Sequence, residues 1–296
     1  MTGASEGFLF TNNLTADSGT VPIPPLSQQS SGSRRAFFFL SSLNEGRMPA
    51  LQALSTNSMT LIYEGKAKRL YETDDPNVLR MEFKDEATAF NAQKKAIFEE
   101  KGRLNKAVTL ALYRMLEKEN IRTHFVSDQD EVNMLVRRVD IIPIELVVRN
   151  YIAGSLEKRT GLPEGQKLSQ PIVETYYKDD ALGDPIITDE HIRELNLATP
   201  EEVEIMRRSG LEVNRIMSAF FEKAGMKLVD FKLEYGRLFP EKTEIVLADE
   251  ISPDTCRLWD LETGEKMDKD RFRQDLGNVM ENYAEVLSRV EHAIES

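Results

Sequence analysis

The chain has 296 residues and a mass of 33.7 kDa, with 38 Lys and Arg against 50 Asp and Glu, a net charge of −12. That acid surplus excludes a protein whose main work is coating nucleic acid, and no apolar run reaches the ~18–20 residues that span a bilayer. The single Cys256 leaves no intrachain disulfide and no cysteine zinc cluster, and His124, His191 and His292 lack metal-ligand spacing, so the chemistry rests on carboxylates, lysines and arginines.

Only six of the first 58 residues are charged, three of each sign, so the whole net charge belongs to residues 59–296. Runs such as Val21-Pro-Ile-Pro-Pro25 and Ser27-Gln-Gln-Ser-Ser31 bury too little apolar surface to offset the entropy of ordering them. Residues 1–58 therefore read as a disordered extension. Three origins fit: a start placed too far upstream of Met59, a vector-derived leader, or an organelle-targeting segment, to which Arg34 and Arg35 among serines point.

Next, Thr60 to Glu64 and Ala67 to Tyr71 flank Gly65 as a hairpin or bent strand pair, and Val78 to Phe83 is a third strand. Leu104, Ala107, Val108, Ala111, Leu112, Met115 and Leu116 recur at helical spacing and predict a helix from Ile97 to Glu119. Strands follow at Thr123 to Val126, Val132 to Val139 and Ile144 to Tyr151, the last two parted by Asp140 to Pro143. A short helix, Ala153 to Thr160, ends at Gly161, and Ile172 to Tyr177 is a strand. Thr199-Pro200-Glu201-Glu202 supplies the cap, first-turn proline and acidic start of a helix that runs to Ala224 and stops at Gly225. Met226 to Tyr235 and Glu244 to Ala248 read as a hairpin, and Asp268 to Leu276 and Val279 to Ala293 as closing helices. Strands crowd the first half and helices the second, which is α+β rather than an alternating doubly wound sheet.

Neither a Walker A loop nor GxGxxG is present. In Glu64-Gly-Lys-Ala-Lys-Arg69 the glycine lets backbone come close to an anion, and Lys66 and Lys68, two apart on a strand, share a face. Alone, such a stretch is more often a solvated basic turn. In Leu228-Val-Asp-Phe-Lys-Leu-Glu-Tyr-Gly236, Asp230, Lys232 and Glu234 line one face and Val229, Phe231, Leu233 and Tyr235 the other. A wet outer strand face looks the same. The next strand, however, ends in Asp249 and Glu250, so Glu234 and Asp249 can converge on Mg²⁺, which takes one or two carboxylates plus phosphate oxygens. Arg149 at a strand end, before Gly154-Ser155 at a helix start, suits a phosphate and equally an ordinary capped junction. Ser252-Pro-Asp254, Cys256, Arg257 and Trp259 are dense in hydrogen-bonding groups but lack a histidine to activate the thiol. Lys178 and Asp184 lie in a charged loop of the kind that is mostly just solvated.

Taken in order, YEGKAKRLY, ATAFNAQKKA, EEKGRLN, VVRNYIAGSLEKR, YYKDDALGDP, LVDFKLEYG, ADEISPDTCRLWD and KMDKDRFR make residues 59–296 resemble the SAICAR synthetase (phosphoribosylaminoimidazole-succinocarboxamide synthase) family of de novo purine synthesis. Residues 1–58 resemble nothing in it. The resemblance implies a SAICAR synthase-like α+β fold. Its small β-rich nucleotide-binding lobe would be residues 59–139 and its larger α+β substrate and metal lobe residues 140–296, with the ATP cleft between them. It implies an ATP-dependent C–N ligase that joins L-aspartate to the carboxylate of carboxyaminoimidazole ribonucleotide through an acyl phosphate, releasing ADP and phosphate. ATP and Mg²⁺ would be required; the partners would be these small molecules, with no nucleic acid and no membrane. A homodimer and a cytoplasmic location fit, unless residues 1–58 direct the chain to an organelle.

By the same resemblance, Gly65, Lys66 and Lys68 would hold the ATP phosphates. Arg137 to Ile141, Val139 included, would hinge the lobes and meet adenine with backbone groups, and Lys178 and Asp184 would lie over the nucleotide or ribose. Glu234 and Asp249 would bind Mg²⁺, and Lys232 would neutralise the transferring phosphoryl group or substrate carboxylate. Arg149, Ser155 and Arg257 would grip the ribonucleotide, while Asp254, with Lys95 and Lys101, would serve L-aspartate. Phe90-Asn91-Ala92-Gln93 departs from the Asp-Gly that relatives often carry. The alternatives are a small-molecule kinase or other ligase on the same kinase-like scaffold, and a catalytically silent nucleotide-binding module. The latter should have lost one of Lys66, Lys232, Glu234 or Asp249, and all four are present.

Overall fold

Residues 60–89 and 94–296 are described by a computed structural model; the expected N-terminal extension and the Phe90–Gln93 departure lie outside them. The bend at Gly65 separates β1 (Leu61–Glu64) from β2 (Lys68–Glu72), as expected, and β3 (Val78–Phe83) follows. Next come β4 (Glu86–Ala89), β5 (Lys94–Ile97), α1 (Lys101–Lys118), β6 (Phe125–Asp128) and β7 (Asn133–Arg137). An antiparallel sheet runs in the order β1-β2-β3-β7-β6, and β4 pairs with β5 as a separate hairpin. On β3 the period-2 alternation buries Leu79, Met81 and Phe83 against Leu110 of α1, Met134 and Val136.

Helix α1 starts later than the periodicity predicts. Lys94–Ile97 is committed to β4, with Ile97 opposite Glu86, so helical geometry begins only at Lys101. At Gly102 a Cβ would stand 2.5 Å from the Phe83 carbonyl oxygen, so only glycine lets the helix start this close to β3.

The second sheet is built from β8 (Val139–Tyr151), β9 (Lys167–Tyr177), β10 (Ile186–Ile187), β11 (Met226–Leu238), β12 (Ile245–Ala248) and β13 (Cys256–Asp260). Its order is β10-β9-β8-β11-β12, with β13 also on β11. Helices α2 (Ser155–Thr160), α3 (Asp189–Glu194), α4 (Pro200–Lys223), α5 (Asp270–Arg273) and α6 (Val279–Glu295) complete the described chain. The break expected at Asp140–Pro143 is absent. β8 runs straight through because its ladder to β11 shifts register between Glu234 and Gly236, and Pro143 falls in that irregular stretch, where a missing N–H is tolerated. The long closing helix expected at Asp268–Leu276 is the single turn α5, and Cys256–Asp260, to which the sequence assigns no element, is a strand.

Helix α4 begins as its sequence dictates: Glu202 N–H donates to Thr199 Oγ1 (3.2 Å) and Thr199 N–H to Glu202 Oε2 (2.8 Å). It crosses β8 at Gly210, where a Cβ would lie 2.5 Å from Leu146 Cδ2. Ile142, Ile144, Leu146 and Val148 of β8 are wholly buried in one core with Val213, Met217 and Phe221 of α4. Each such side chain contributes about 1.5–3 kcal/mol of burial, enough to hold the sheet rigid behind its polar face.

The edge of β11 away from β8 is shared: β13 pairs with Met226–Phe231 and β12 with Glu234–Arg237. Between them Lys232 N–H reaches the Thr255 carbonyl (2.9 Å), and the chain from Asp249 to Thr255 crosses the gap. Ionisable residues of five strands and two loops therefore gather along one strand.

Candidate active site

The polar face of β11 is not a wet face. Asp230 and Glu234 are each 3% exposed, while Tyr235 on the opposite face reaches Ser209 of α4 (3.1 Å). Lys232 Nζ donates to Glu145 Oε1 (2.8 Å) and Glu234 Oε1 (2.6 Å), and Lys178 Nζ takes the other Glu234 oxygen. Ala248 is the register partner of Glu234, so Asp249 leaves β12 beside it. Lys68 bonds Asp249 and Glu250 (2.7 Å to Oε1), and Ser252 Oγ donates to Glu250 Oε2 (2.8 Å). Burial alone would raise the Glu234 carboxyl; Lys232 and Lys178 reverse that and hold it below its ordinary value. Asp249 behaves likewise, with Lys68 and Lys232 outweighing burial. Burial opposes the Lys232 ammonium, yet Glu234, Glu145 and Asp249 keep it firmly charged.

Four carboxylates (Glu145, Glu234, Asp249 and Glu250) thus face three lysines, leaving one negative charge. Among the described residues no three acidic, histidine or cysteine side chains stand ready-arranged for a metal, and lysines pair with Glu234, Asp249 and Glu250. The donors are nonetheless all oxygens, which suits a hard divalent cation. Two residues that sequence reasoning missed brace this corner. Asp249 adopts a left-handed backbone (φ 63°), and Tyr113 OH donates to the Ala248 carbonyl (3.0 Å). The His124 N–H donates to the Leu247 carbonyl (2.8 Å), and burial pushes the ring's pKa down to about 4 against the pull of Asp249, so it is neutral at pH 7. In the sequence Tyr113 is one more apolar position on a helix and His124 a lone histidine, so neither carries a signal.

Four residues N-terminal to Glu234, Asp230 organises a second cluster. Arg149 on β8 and Arg257 on β13 are both its register partners, so they flank one carboxylate. Arg149 Nη1 donates to Asp230 Oδ2 (2.7 Å), Nε to Glu174 Oε2 (2.7 Å) and Nη2 to Ser155 Oγ (3.0 Å) and Tyr176 OH (3.1 Å). Arg257 Nη1 donates to both Asp230 oxygens (3.0 Å each) and Nε to Asp270 Oδ2 (2.8 Å). Arg159 bonds Glu174 (2.6 Å) and Arg273 bonds Asp270 (2.6 Å), extending the chain outward at both ends. Four arginines therefore alternate with three carboxylates, leaving one positive charge, and Arg159 and Arg273 at the ends are about one-third exposed. At Gly154 (φ 56°) a Cβ would lie 2.5 Å from Arg257 Nη2, so the glycine makes room for the guanidinium. Glu174, Tyr176, Arg159, Asp270 and Arg273 were not singled out from sequence; their charges read as ordinary surface until the register brings them together.

Lys66 lies at the rim, paired with Asp180 (2.5 Å), and both are exposed. Asp184 accepts the Asp179 N–H (3.0 Å) and so braces the loop that carries Lys178. Asp254 is buried, bonded to Lys101 (2.7 Å), Tyr283 OH (2.8 Å) and Lys269 (3.4 Å), a group separate from both clusters. The Arg137 N–H is taken by the His124 carbonyl (2.6 Å), and Val139 pairs with Leu238. The Arg137 side chain lines a cavity of about 420 Å³ with Val78, Val126 and Phe239, not the lysine cluster. Burial raises the Cys256 thiol far above its ordinary value, which makes it inert.

Residues 61–290 match the SAICAR synthetase family profile. A phosphoribosylaminoimidazole-succinocarboxamide synthase from Akkermansia muciniphila is 60% identical over 234 residues, which is 79% of this chain and 99% of its own. The chain belongs to the SAICAR synthetase family. A relative of the same name from Bacillus mycoides is 54% identical over 232 residues, 78% of this chain and 96% of its own. Among solved structures, the Ehrlichia chaffeensis synthase superposes with a TM-score of 0.77 at 46% identity, covering 78% of this chain and 98% of that one. A SAICAR synthetase solved in complex with ADP gives 0.74 at 47% identity, covering 77% and 96%. The expected fold and activity therefore hold: this is a SAICAR synthase-like α+β enzyme catalysing ATP-dependent SAICAR formation in purine biosynthesis. No helix of the described residues is long and apolar enough to cross a membrane.

Proposed function

We propose that the two clusters on β11 hold the two ends of one substrate, carboxyaminoimidazole ribonucleotide, with its phosphate on the arginine chain and its carboxylate beside the lysines. The observation that carries this is the pairing itself. Asp230 and Glu234 stand four residues apart on one strand face, about 13 Å, a span comparable with a ribonucleotide from phosphate to base. The arginine chain has one positive charge to spare for a phosphate, and its guanidinium forks suit that anion.

ATP would enter over the lysine cluster, in a cleft between residues 59–139 and residues 140–296. Its phosphates would draw Lys66 from Asp180, Lys68 from Asp249, and Lys178 and Lys232 from Glu234. The carboxylates thus freed, Glu234 and Asp249, would hold Mg²⁺, whose contribution is neutralisation of phosphate charge. A carboxylate resists nucleophiles until one oxygen becomes a good leaving group. The substrate carboxylate oxygen therefore attacks the γ-phosphorus with expulsion of ADP, and Lys232 steadies the charge on the oxygens in transit. The L-aspartate amine then attacks the acyl carbon, phosphate leaves, and the amine proton passes to solvent. Among the lysines near Asp254, Lys269 is the candidate contact for a carboxylate of L-aspartate, since Lys101 is sealed in. These soluble substrates fit a cytoplasmic enzyme, and two copies per molecule fit the family resemblance.

Coupled measurement of ADP release tests the reading. Release should require the carboxylated ribonucleotide and L-aspartate together, with Mg²⁺; ADP release that is indifferent to either substrate would refute it.

A further inference from the structure

Asp268 is completely buried and belongs to neither cluster, yet it touches the backbone on both sides of the Arg257–Asp270 pair. Its Oδ2 accepts the N–H of Leu258 (2.9 Å), the residue after Arg257, and its Oδ1 accepts the N–H of Asp270 (2.7 Å). Arg257 Nε closes the circuit on Asp270 Oδ2 (2.8 Å). One carboxylate thus fixes β13 at the arginine and the start of α5 at that arginine's partner. We propose that Asp268 is a positioning residue for the ribonucleotide: through the N–H groups of Leu258 and Asp270 it sets where the Arg257 guanidinium stands. The inference rests on the arginine chain being the ribonucleotide anchor.

Both bonds are made best by the ionised carboxylate, because protonation turns one of its two acceptor oxygens into a donor. Facing Asp268 are Arg257 and Cys256 of β13, Asp270 of α5 and Tyr283 of α6. Burial first, then Asp270, push the Asp268 carboxyl up to about 7, against the two N–H groups and Arg257. Its grip is full above that pH and is lost as pH falls through it, so KM for the ribonucleotide rises on acidification across neutrality.

The test is steady-state kinetics on the full chain, varying carboxyaminoimidazole ribonucleotide, ATP and L-aspartate in turn. Asp268→Asn keeps the shape and one acceptor but cannot titrate. It should raise KM for the ribonucleotide about tenfold, the cost of one unmet buried N–H, with KM for ATP and kcat unchanged. It should also flatten the rise of that KM between roughly pH 8 and 6. Adding Asp268→Asn to Arg257→Lys should raise KM no further, since both act through one guanidinium. An unchanged KM, an additive double variant, or a pH profile identical to wild type would overturn the inference. If Asp268→Asn does not fold, wild type is compared with Arg257→Lys: the neutral-pH dependence should vanish in the latter, and its persistence overturns the proposal. Should Arg257→Lys leave the ribonucleotide KM unaltered, the anchor reading itself fails; a raised KM there beside a normal Asp268→Asn defeats this inference alone.

Discussion

The two clusters on β11 are alike in plan and opposite in character. Both alternate cations with carboxylates around an acidic strand residue that is 3% exposed, Asp230 in one and Glu234 in the other. The lysine cluster ends one negative charge over, the arginine chain one positive. Their mobility differs as well. The Lys178 and Lys232 side chains are 35% and 27% exposed, and an ammonium on a four-carbon stem can leave one oxygen for another, whereas Arg149 is 4% exposed and held by four partners. The same alternation therefore gives one region whose central lysines can exchange oxygens and one whose central arginine is fixed. The first suits phosphoryl transfer and the second suits an anchor.

The most severe way to break this comparison is Glu234→Gln. It removes a charge but little volume, so circular dichroism and Tm should stay close to wild type. If Glu234 shares the work of binding Mg²⁺ and releasing Lys232 and Lys178, kcat should fall by about 10²–10³ and the Mg²⁺ concentration needed should rise. Ordinary turnover would mean that the redistributing charges are not part of catalysis.

On the fixed side, Arg149→Lys retains the charge and loses the fork. The ribonucleotide KM should rise roughly 10–100-fold with kcat less affected, because uniform binding is lost. Denaturant titration should show about 1–3 kcal/mol of lost stability from Glu174 and Asp230 left incompletely bonded. If kcat collapses while KM holds, the roles of the two clusters are reversed.

Acid sharpens the contrast further. Burial opposes the Glu174 carboxylate and Arg149 outweighs it, so its pKa is lowered, while Arg257 and Arg273 hold Asp270 down at about 2 against burial. For a carboxylate with a lowered folded pKa, the stabilisation is present above its unfolded value and is lost as pH falls through its folded value. Unfolding free energy should therefore decline between roughly pH 4.5 and 2. Arg149→Lys should soften that decline, as fewer carboxylates remain strongly paired. An identical slope in the variant would show that the arginine chain contributes nothing to acid stability.

Much of this was legible in the sequence, and the illegible part has a physical pattern. The helix α4 was readable end to end because Thr199, Pro200, Glu202 and Gly225 are local signals. Asp230, Lys232 and Glu234 were readable as one face because strand alternation is local too. What escaped depended on pairing. The β4–β5 hairpin carries no strand signal of its own, and Ile97, which reads as the start of α1, is its last residue. Pro143 looked like a break because nothing nearby announces a register shift on β11. Arg257 and Arg149 are 108 positions apart, and only the two ladders on Asp230 reveal that they share a carboxylate. His124 and Tyr113 hold the Leu247–Ala248 backbone that leads into Asp249, which no residue spacing encodes.

The smallest effect expected is the most diagnostic of mobility. Lys66 pairs with Asp180 at 2.5 Å, but the two side chains are 41% and 68% exposed. An exposed pair of this kind contributes about 0–1 kcal/mol, so Lys66→Ala should leave the unfolding free energy almost unaltered. If Lys66 exchanges Asp180 for an ATP phosphate, the same substitution should still raise KM for ATP several-fold, about 1 kcal/mol of binding, and leave KM for the ribonucleotide alone. Asp180→Asn should do the reverse, lowering KM for ATP slightly by removing the competitor for the ammonium. Opposite shifts from the two halves of one ion pair are what an exchanged contact produces. Equal losses from both would mean that the pair acts as a fixed strut, and the rim of the lysine cluster would then be as rigid as the arginine chain.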